Sequence, residues 1–223
     1  MSEQTFETEK YYPYMKHSVQ NHIAQKNSEK QQPLNKDSLS RRGFMGGMVG
    51  AMACGAALAT PGSAVAGSFS RSFVDGGKRY ISLRQIHTGE SFSGVYRIGD
   101  QYIYEAFEKI NALMRDFRKG DVYPIDPRLI DVLWQINKKS DSKYPFQILS
   151  GYRSPKTNLT LARNIKGVAS NSYHMSGQAA DIRLPYFNTQ GLREIAVGLR
   201  SGGVGYYPKS DFVHVDTGEF RTW

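Results

Sequence analysis

The sequence predicts an α+β domain in which a small, mostly antiparallel β-sheet is flanked by helices. Two observations carry this. Strand-like and helix-like segments segregate along the chain, where a wound parallel sheet would need them to alternate strictly. The apolar period also switches from two, over Arg79 to Ile86, to the helical spacing of Ile103, Ala106, Phe107, Ile110, Leu113, Met114 and Phe117.

Each element follows from local signals. Arg79 to Ile86 and Phe92 to Ile98 read as the two arms of a β-hairpin, with its turn at Thr88-Gly89-Glu90. His87, beside that turn, is either a surface histidine or a metal ligand. Gly99-Asp100 opens the helix whose stripe packs into the core, and Gly120 ends it. Asp126-Pro127 supplies an N-cap and a proline at the first helical position, starting a second helix that buries Leu129, Val132, Leu133 and Ile136. Phe146 to Ser150 is a short strand, Gly151 to Pro155 a turn, and a short helix runs through Leu159, Leu161, Ala162 and Ile165. Ala179 to Leu184 is a strand with Asp181 on the side of Ala179 and Arg183. Leu192, Ile195, Ala196 and Leu199 mark another helix, stopped at Gly202-Gly203, and Val204 to Tyr207 with Phe212 to Asp216 finish the sheet.

The folded domain is expected at 79–223, after a linker at 67–78. Residues 1–37 are polar and carry no predicted structure; they are a long leader or follow from an early start codon. Residues 38–66 read as an export signal. Ser40-Arg41-Arg42-Gly43-Phe44 precedes a Gly/Ala-rich run, and Ala64-Val65-Ala66 offers a cleavage site. The arginine pair resembles the twin-arginine signal, which places the mature protein in the periplasm or cell wall. The run is long enough to span a bilayer, but its Gly, Ser and Pro make it a poor membrane helix, so cleavage with no lasting span is the expectation. Cys54, the only cysteine, lies inside this leader without the leucine of a lipoprotein box. A domain without cysteine has no disulfide, and any metal it holds must use His, Asp, Glu or water.

Charge excludes little. The net charge is +9 over the whole chain, and the positive residues are scattered without a basic block. Solubility and loose attraction to an anionic wall explain it better than nucleic acid does. Gly-x-Gly-x-x-Gly and the phosphate-loop pattern are absent, so nucleotide chemistry has no support. A serine or cysteine hydrolase fails as well, because no Ser sits in a Gly-x-Ser-x-Gly elbow and the domain lacks Cys.

The chemistry concentrates in Ser172 to Asp181 and in Asp211 to Asp216. His174, Asp181 and His214 supply two imidazoles and a carboxylate, a ligand set that zinc accepts while keeping a position open for water. Gly177 permits the tight reversal between the first two. In the last strand, period two puts His214 and Asp216 on one face and Val213 and Val215 on the other. The His-x6-Asp spacing is not diagnostic alone, and both histidines could be ordinary hydrogen-bonded side chains.

Ser172-x-His174-x-x-Gly177-x-Ala179-x-Asp181 followed by Asp211-x-x-His214 resembles the D-Ala-D-Ala metallopeptidases, cell-wall peptidases whose single zinc is held by His, Asp and His. The surrounding wording, including His87-Thr88-Gly89-Glu90, Ser150 to Pro155, Gly202 to Pro208 and Arg221-Thr222-Trp223, is similar to the exported MepK-like branch, over roughly Arg79 to Trp223. The resemblance implies the fold shared with the hedgehog signalling domain and one zinc ion held by His174, Asp181 and His214. It also implies Asp211 as general base, Arg153 facing the substrate carbonyl or carboxylate, and peptidoglycan cross-link peptides, containing D-amino acids or diaminopimelate, as substrate. Some members have Glu where Asp211 stands, which leaves Asp216 as a competing carboxylate or as the partner orienting a histidine. Alternatively, Asp211 caps a turn and Arg153 pairs with a surface carboxylate. Ser172 and Tyr206 are further candidates for substrate contact or ligand support. A non-catalytic wall-binding module of the same fold is the alternative function.

Overall fold

The structure, a computed structural model, describes residues 77–165 and 169–223. The polar leader, the twin-arginine motif, Cys54 and the linker up to residue 76 lie outside the described residues. No helix among the described residues is long and apolar enough to cross a membrane.

The chain order is β1 (Lys78–Gln85), β2 (Ser91–Ile98), β3 (Gln101–Tyr102), α1 (Tyr104–Leu113), α2 (Pro127–Ser140), β4 (Phe146–Ser150) and α3 (Pro155–Asn164). A 3₁₀ turn (Tyr173–Ser176) follows, then β5 (Ala179–Arg183), α4 (Thr189–Leu199), β6 (Gly203–Tyr207), a second 3₁₀ turn (Pro208–Ser210), β7 (Phe212–Asp216) and β8 (Arg221–Thr222). The α+β expectation holds, but the sheet is not the small antiparallel one expected. It is a mixed sheet of eight strands in the order β3-β2-β1-β4-β5-β7-β6-β8. β4 runs parallel to β1, because α1 and α2 carry the chain back to the end from which β1 started, and β8 lies parallel to β6 at the far edge. β3 and β8 were not foreseen, since two residues carry no periodicity.

One sheet face is apolar and covered by helices. Ile81, Leu83, Phe146, Ile148, Ile182, Val213 and Val215 are all buried, with Phe107, Ile110, Leu129, Leu133 and Leu192 against them. Each such side chain contributes about 1.5–3 kcal/mol by leaving water. The hydrophobic pattern therefore forces the alternate residues of β5 and β7, Asp181, His214 and Asp216, onto the opposite face.

The predicted helix from Gly99 to Gly120 is cut short at both ends, and α1 stops at Leu113 with Met114 as its cap. The cause is Asp116. Its buried carboxylate accepts from the backbone amide and hydroxyl of Ser154 at 3.0 and 2.7 Å, and its carbonyl accepts the amides of Lys119 and Gly120. A buried carboxylate satisfied by these donors outweighs two more helical turns. Burial alone would raise the Asp116 pKa, but Thr157, Ser154 and two backbone amides hold it below the ordinary carboxylate value. Phe117 thus leaves the core and stacks on His87, centroids 4.1 Å apart.

α2 starts as the sequence predicts: the Asp126 side chain accepts from Arg128 N and Pro127 takes the first position. Further along, Asp131 fastens this helix to the sheet. Its Oδ1 accepts from Arg79 Nη1 (2.9 Å) and Tyr96 Oη (2.8 Å), and its Oδ2 from Arg97 Nη1 (2.6 Å) and Tyr102 Oη (2.7 Å). Every lone-pair position of the carboxylate is used. Asp131→Ala leaves two guanidinium groups and two phenols without this acceptor and should cost about 3–5 kcal/mol. Urea unfolding measures it, and a loss below about 1 kcal/mol would mean that the cluster is not what holds α2.

Candidate metal centre

His174 is placed by the 3₁₀ turn. The side chain of Ser172 caps that turn by accepting from His174 N at 3.3 Å, and the turn closes at Gly177 with φ +67°. A Cβ at Gly177 would collide with the carbonyl oxygen of Pro124, so both the sign of φ and the packing demand glycine. Asp181 and His214 sit directly opposite each other in the β5–β7 ladder. A register irregularity in β4 between Ile148 and Ser150 sets Ser150 across from Asp181.

The three predicted ligands come together as a buried ring. His174 Nε2 lies 3.2 Å from His214 Nδ1, His214 Nδ1 lies 2.9 Å from Asp181 Oδ1, and His174 Nε2 lies 3.3 Å from Asp181 Oδ1. Among the described residues these three form a group that could hold a metal ion. Ligand bonds of about 2.0–2.2 Å in tetrahedral array imply ligand separations of roughly 3.3–3.5 Å, close to those found.

The outer hydrogen bonds fix what each ring atom offers. His174 Nδ1 lies 2.6 Å from the carbonyl oxygen of Gly151, which can only accept, so Nδ1 carries the proton and Nε2 turns a lone pair inward. His214 Nε2 lies 3.1 Å from Asp216 Oδ2, which assigns that nitrogen as donor and leaves Nδ1 to face inward. Two imidazole lone pairs and a carboxylate pointing at one another call for a cation, and the residues fit a divalent metal. Burial would raise the Asp181 pKa, yet the flanking imidazoles of His174 and His214 hold it well below the usual carboxylate range. At His174 burial prevails over the pull of Asp181 and lowers the pKa. At His214 burial is outweighed by Asp181 and Asp216, and the pKa rises.

Two other predicted residues support the ring. Asp216 is buried and accepts from the amides of Gly203 (3.0 Å) and Gly218 (2.9 Å) and from Arg221 Nη2 (2.7 Å) besides His214. Although burial would raise its pKa, those donors hold it well below the carboxylate range. Arg153 Nη2 donates to Asp181 Oδ2 and lies 3.1 Å from His174 Nε2, while Arg153 Nε donates to Ser150 Oγ at 2.8 Å.

Asp211 is placed elsewhere. Its backbone φ is +52°, and its exposed carboxylate pairs with Arg183 Nε at 2.8 Å and accepts from Thr189 Oγ1. Tyr206 pairs with Val213, on the face away from the ring, and lies under Arg193. Its neighbour Tyr207 is the one at the site, as period two in β6 could have shown. The ring opens into a depression of about 770 Å³ whose wall includes Arg118, Leu161, Ile165, Tyr207, Phe212 and Trp223. His87 is on this wall but outside the ring. Leu161 is on α3, which buries Thr157 and Asn158, and Ile165 caps that helix at its C-terminal end.

The family model described as "Peptidoglycan L,D-endopeptidase MepK" matches residues 74–223. The chain belongs to the MepK family. The MepK of Escherichia coli (strain K12), named a peptidoglycan L,D-endopeptidase, is 42% identical over 145 residues, covering 65% of this chain and 80% of that protein. The Haemophilus influenzae protein, named a probable peptidoglycan L,D-endopeptidase MepK, is 39% identical over 146 residues, covering 65% of this chain and 78% of that one. The MepK match contains the whole ring together with Arg153 and Asp211.

Removing either imidazole leaves two ligands. His174→Ala and His214→Ala should each abolish stoichiometric zinc uptake in equilibrium dialysis, and His87→Ala should not; metal retained by both ring variants would refute the ring. The raised pKa of His214 adds a pH dependence. Below that value, which lies above 6.5, a metal must displace the imidazole proton. Zinc affinity should therefore fall by about tenfold per pH unit as the pH drops through it. A flat profile between pH 8 and pH 5 would show that His214 is not a ligand.

Proposed function

We propose that the chain is an exported, zinc-dependent peptidoglycan endopeptidase that hydrolyses peptide cross-links. The observation that carries this is the ring of three inward-facing electron-pair donors, closed by outer hydrogen bonds, at the floor of a depression in a MepK-family chain. The names of the relatives support an L,D bond in peptidoglycan as the one cut.

Zinc, when bound, supplies Lewis acidity and lowers the pKa of a water to near ~7. The chain's own residues do the rest. His174, Asp181 and His214 hold the metal, and Asp216 keeps His214 in the tautomer that can ligate. Arg153, fixed by Ser150 and Asp181, presents a guanidinium to the oxygen that gains charge when the scissile carbonyl is attacked. Asp216 is a poor base, since its oxygens are taken by two amides, Arg221 and His214. Asp211 is the better candidate for the attacking water's proton and for its delivery to the leaving amine. That role requires its carboxylate to leave Arg183 and Thr189.

The same pairing favours a second reading. A chain whose acid stays bonded to Arg183 and Thr189 would keep the metal and bind wall peptide without cutting it. Digestion of purified cross-linked muropeptides separates the two. Product is expected from the zinc-loaded protein and none after chelation, with a loss of about 10²–10⁴-fold in Asp211→Ala and of about 10²–10³-fold in Arg153→Ala. Bound zinc without product would leave the binding module; full activity in Asp211→Ala would remove it as base.

The proposed route to the wall is twin-arginine export, supported by Ser40-Arg41-Arg42-Gly43-Phe44 and the Gly/Ala-rich run behind it. The Arg41→Lys/Arg42→Lys protein should then stay in the cytoplasm on cell fractionation, and its appearance outside would refute the route.

A further inference from the structure

Among the described residues three arginines line the depression. Arg153 is bonded to Asp181 and Arg221 to Asp216. Arg118 alone has no ion pair or side-chain hydrogen bond among the described residues. Its guanidinium lies over the ring of Phe117, 4.2 Å from the centroid, and Phe117 stacks in turn on His87.

The position of Arg118 is built. Its backbone amide donates to Asp116 Oδ1 at 3.1 Å, and Asp116 Oδ2 accepts from both the amide and the hydroxyl of Ser154, the residue after Arg153. One buried carboxylate thus ties the loop carrying Arg118 to the turn carrying Arg153. That carboxylate is bonded to amides and a hydroxyl and forms no ion pair with either guanidinium. Burial lowers the Arg118 pKa, and the Asp116 carboxylate, which raises it, and the like charge of Arg153, which lowers it, leave the net shift downward. An unpaired guanidinium stacked on Phe117 and facing the depression suits a planar carboxylate, which it can hold by two parallel hydrogen bonds.

We propose that Arg118 binds a free carboxylate of the substrate peptide and selects for it. The inference rests on the reading of the site as one for peptidoglycan cross-links. Diaminopimelate has two amino-acid ends; when the amine of one end is acylated to form a cross-link, the carboxylate on that same carbon stays free, one carbon from the scissile nitrogen. A substrate with its carbonyl at Arg153 carries this carboxylate along the same wall. Arg118 is then a specificity residue, and neutral peptides pay for leaving it unpaired.

The test uses two cross-linked muropeptides that differ only in whether this carboxylate is free or amidated. Their kcat/KM values are measured with the zinc-loaded protein, and their Kd values by calorimetry with the metal-free protein. The unaltered protein should prefer the free acid by about 10- to 100-fold. Arg118→Gln should abolish the preference by losing only the free acid, and Arg118→Lys should restore part of it. Equal handling of the two peptides by the unaltered protein, or a preference that survives in Arg118→Gln, would overturn the proposal. If neither peptide is cut, binding still decides: an Arg118-dependent preference in Kd upholds the carboxylate site while the hydrolytic reading falls, and equal Kd values refute the site.

Discussion

Two imidazole nitrogens and a carboxylate oxygen are held near contact with one another, and when both inward nitrogens are unprotonated their electron pairs repel. The rest of the site exists to oppose that. Strand pairing contributes most, because the ladder that places Asp181 opposite His214 is made of backbone hydrogen bonds and buried valines and isoleucines on the other face. His174 arrives from a 3₁₀ turn outside the strands. It needs the Gly151 carbonyl to hold its ring and Gly177 to let the chain reverse. A hydrophobic sheet face thus finances a polar one.

The outer partners do more than orient ligands. Asp216 joins the amides of Gly203 and Gly218 to Arg221, so the group that sets the tautomer of His214 also fastens β6 and the segment leading to β8. Arg221 and Trp223 then form part of the wall of the depression, with the Trp223 ring 5.3 Å from that of His214. On the opposite side Asp116 performs the equivalent task for Arg118 and Ser154. Two buried carboxylates, neither of them a ligand, shape the two sides of the depression.

Much of this was legible in the sequence. The ring residues stood out because motif and strand period agreed: His214 and Asp216 had to share a face once Val213 and Val215 were assigned to the core. The hairpin and the start of α2 followed from turn and cap residues. Errors arose where a distant partner overrode a local signal. The apolar spacing through Phe117 favoured a longer helix, and nothing near Asp116 announced that Ser154 would capture its carboxylate. Arg118 was invisible for the same reason, since its place on the wall depends on that capture. Asp211 matched a motif position, but the sequence could not show that Arg183 and Thr189 would hold its side chain.

Asp126 has a duty beyond capping α2. Its backbone amide donates to the carbonyl of Gly177 at 2.9 Å, and its Oδ2 accepts from Thr217 Oγ1 at 2.9 Å, a partner 91 residues away. The turn that presents His174 is therefore seated on the start of a helix and on the end of β7 at once. Contacts of such long sequence separation form late, after the chain between them has closed. A nascent or partly unfolded chain carries all three ring residues but no cavity of fixed size to rank one ion above another. Any preference of the ring for one ion over another would thus be a property of the finished fold.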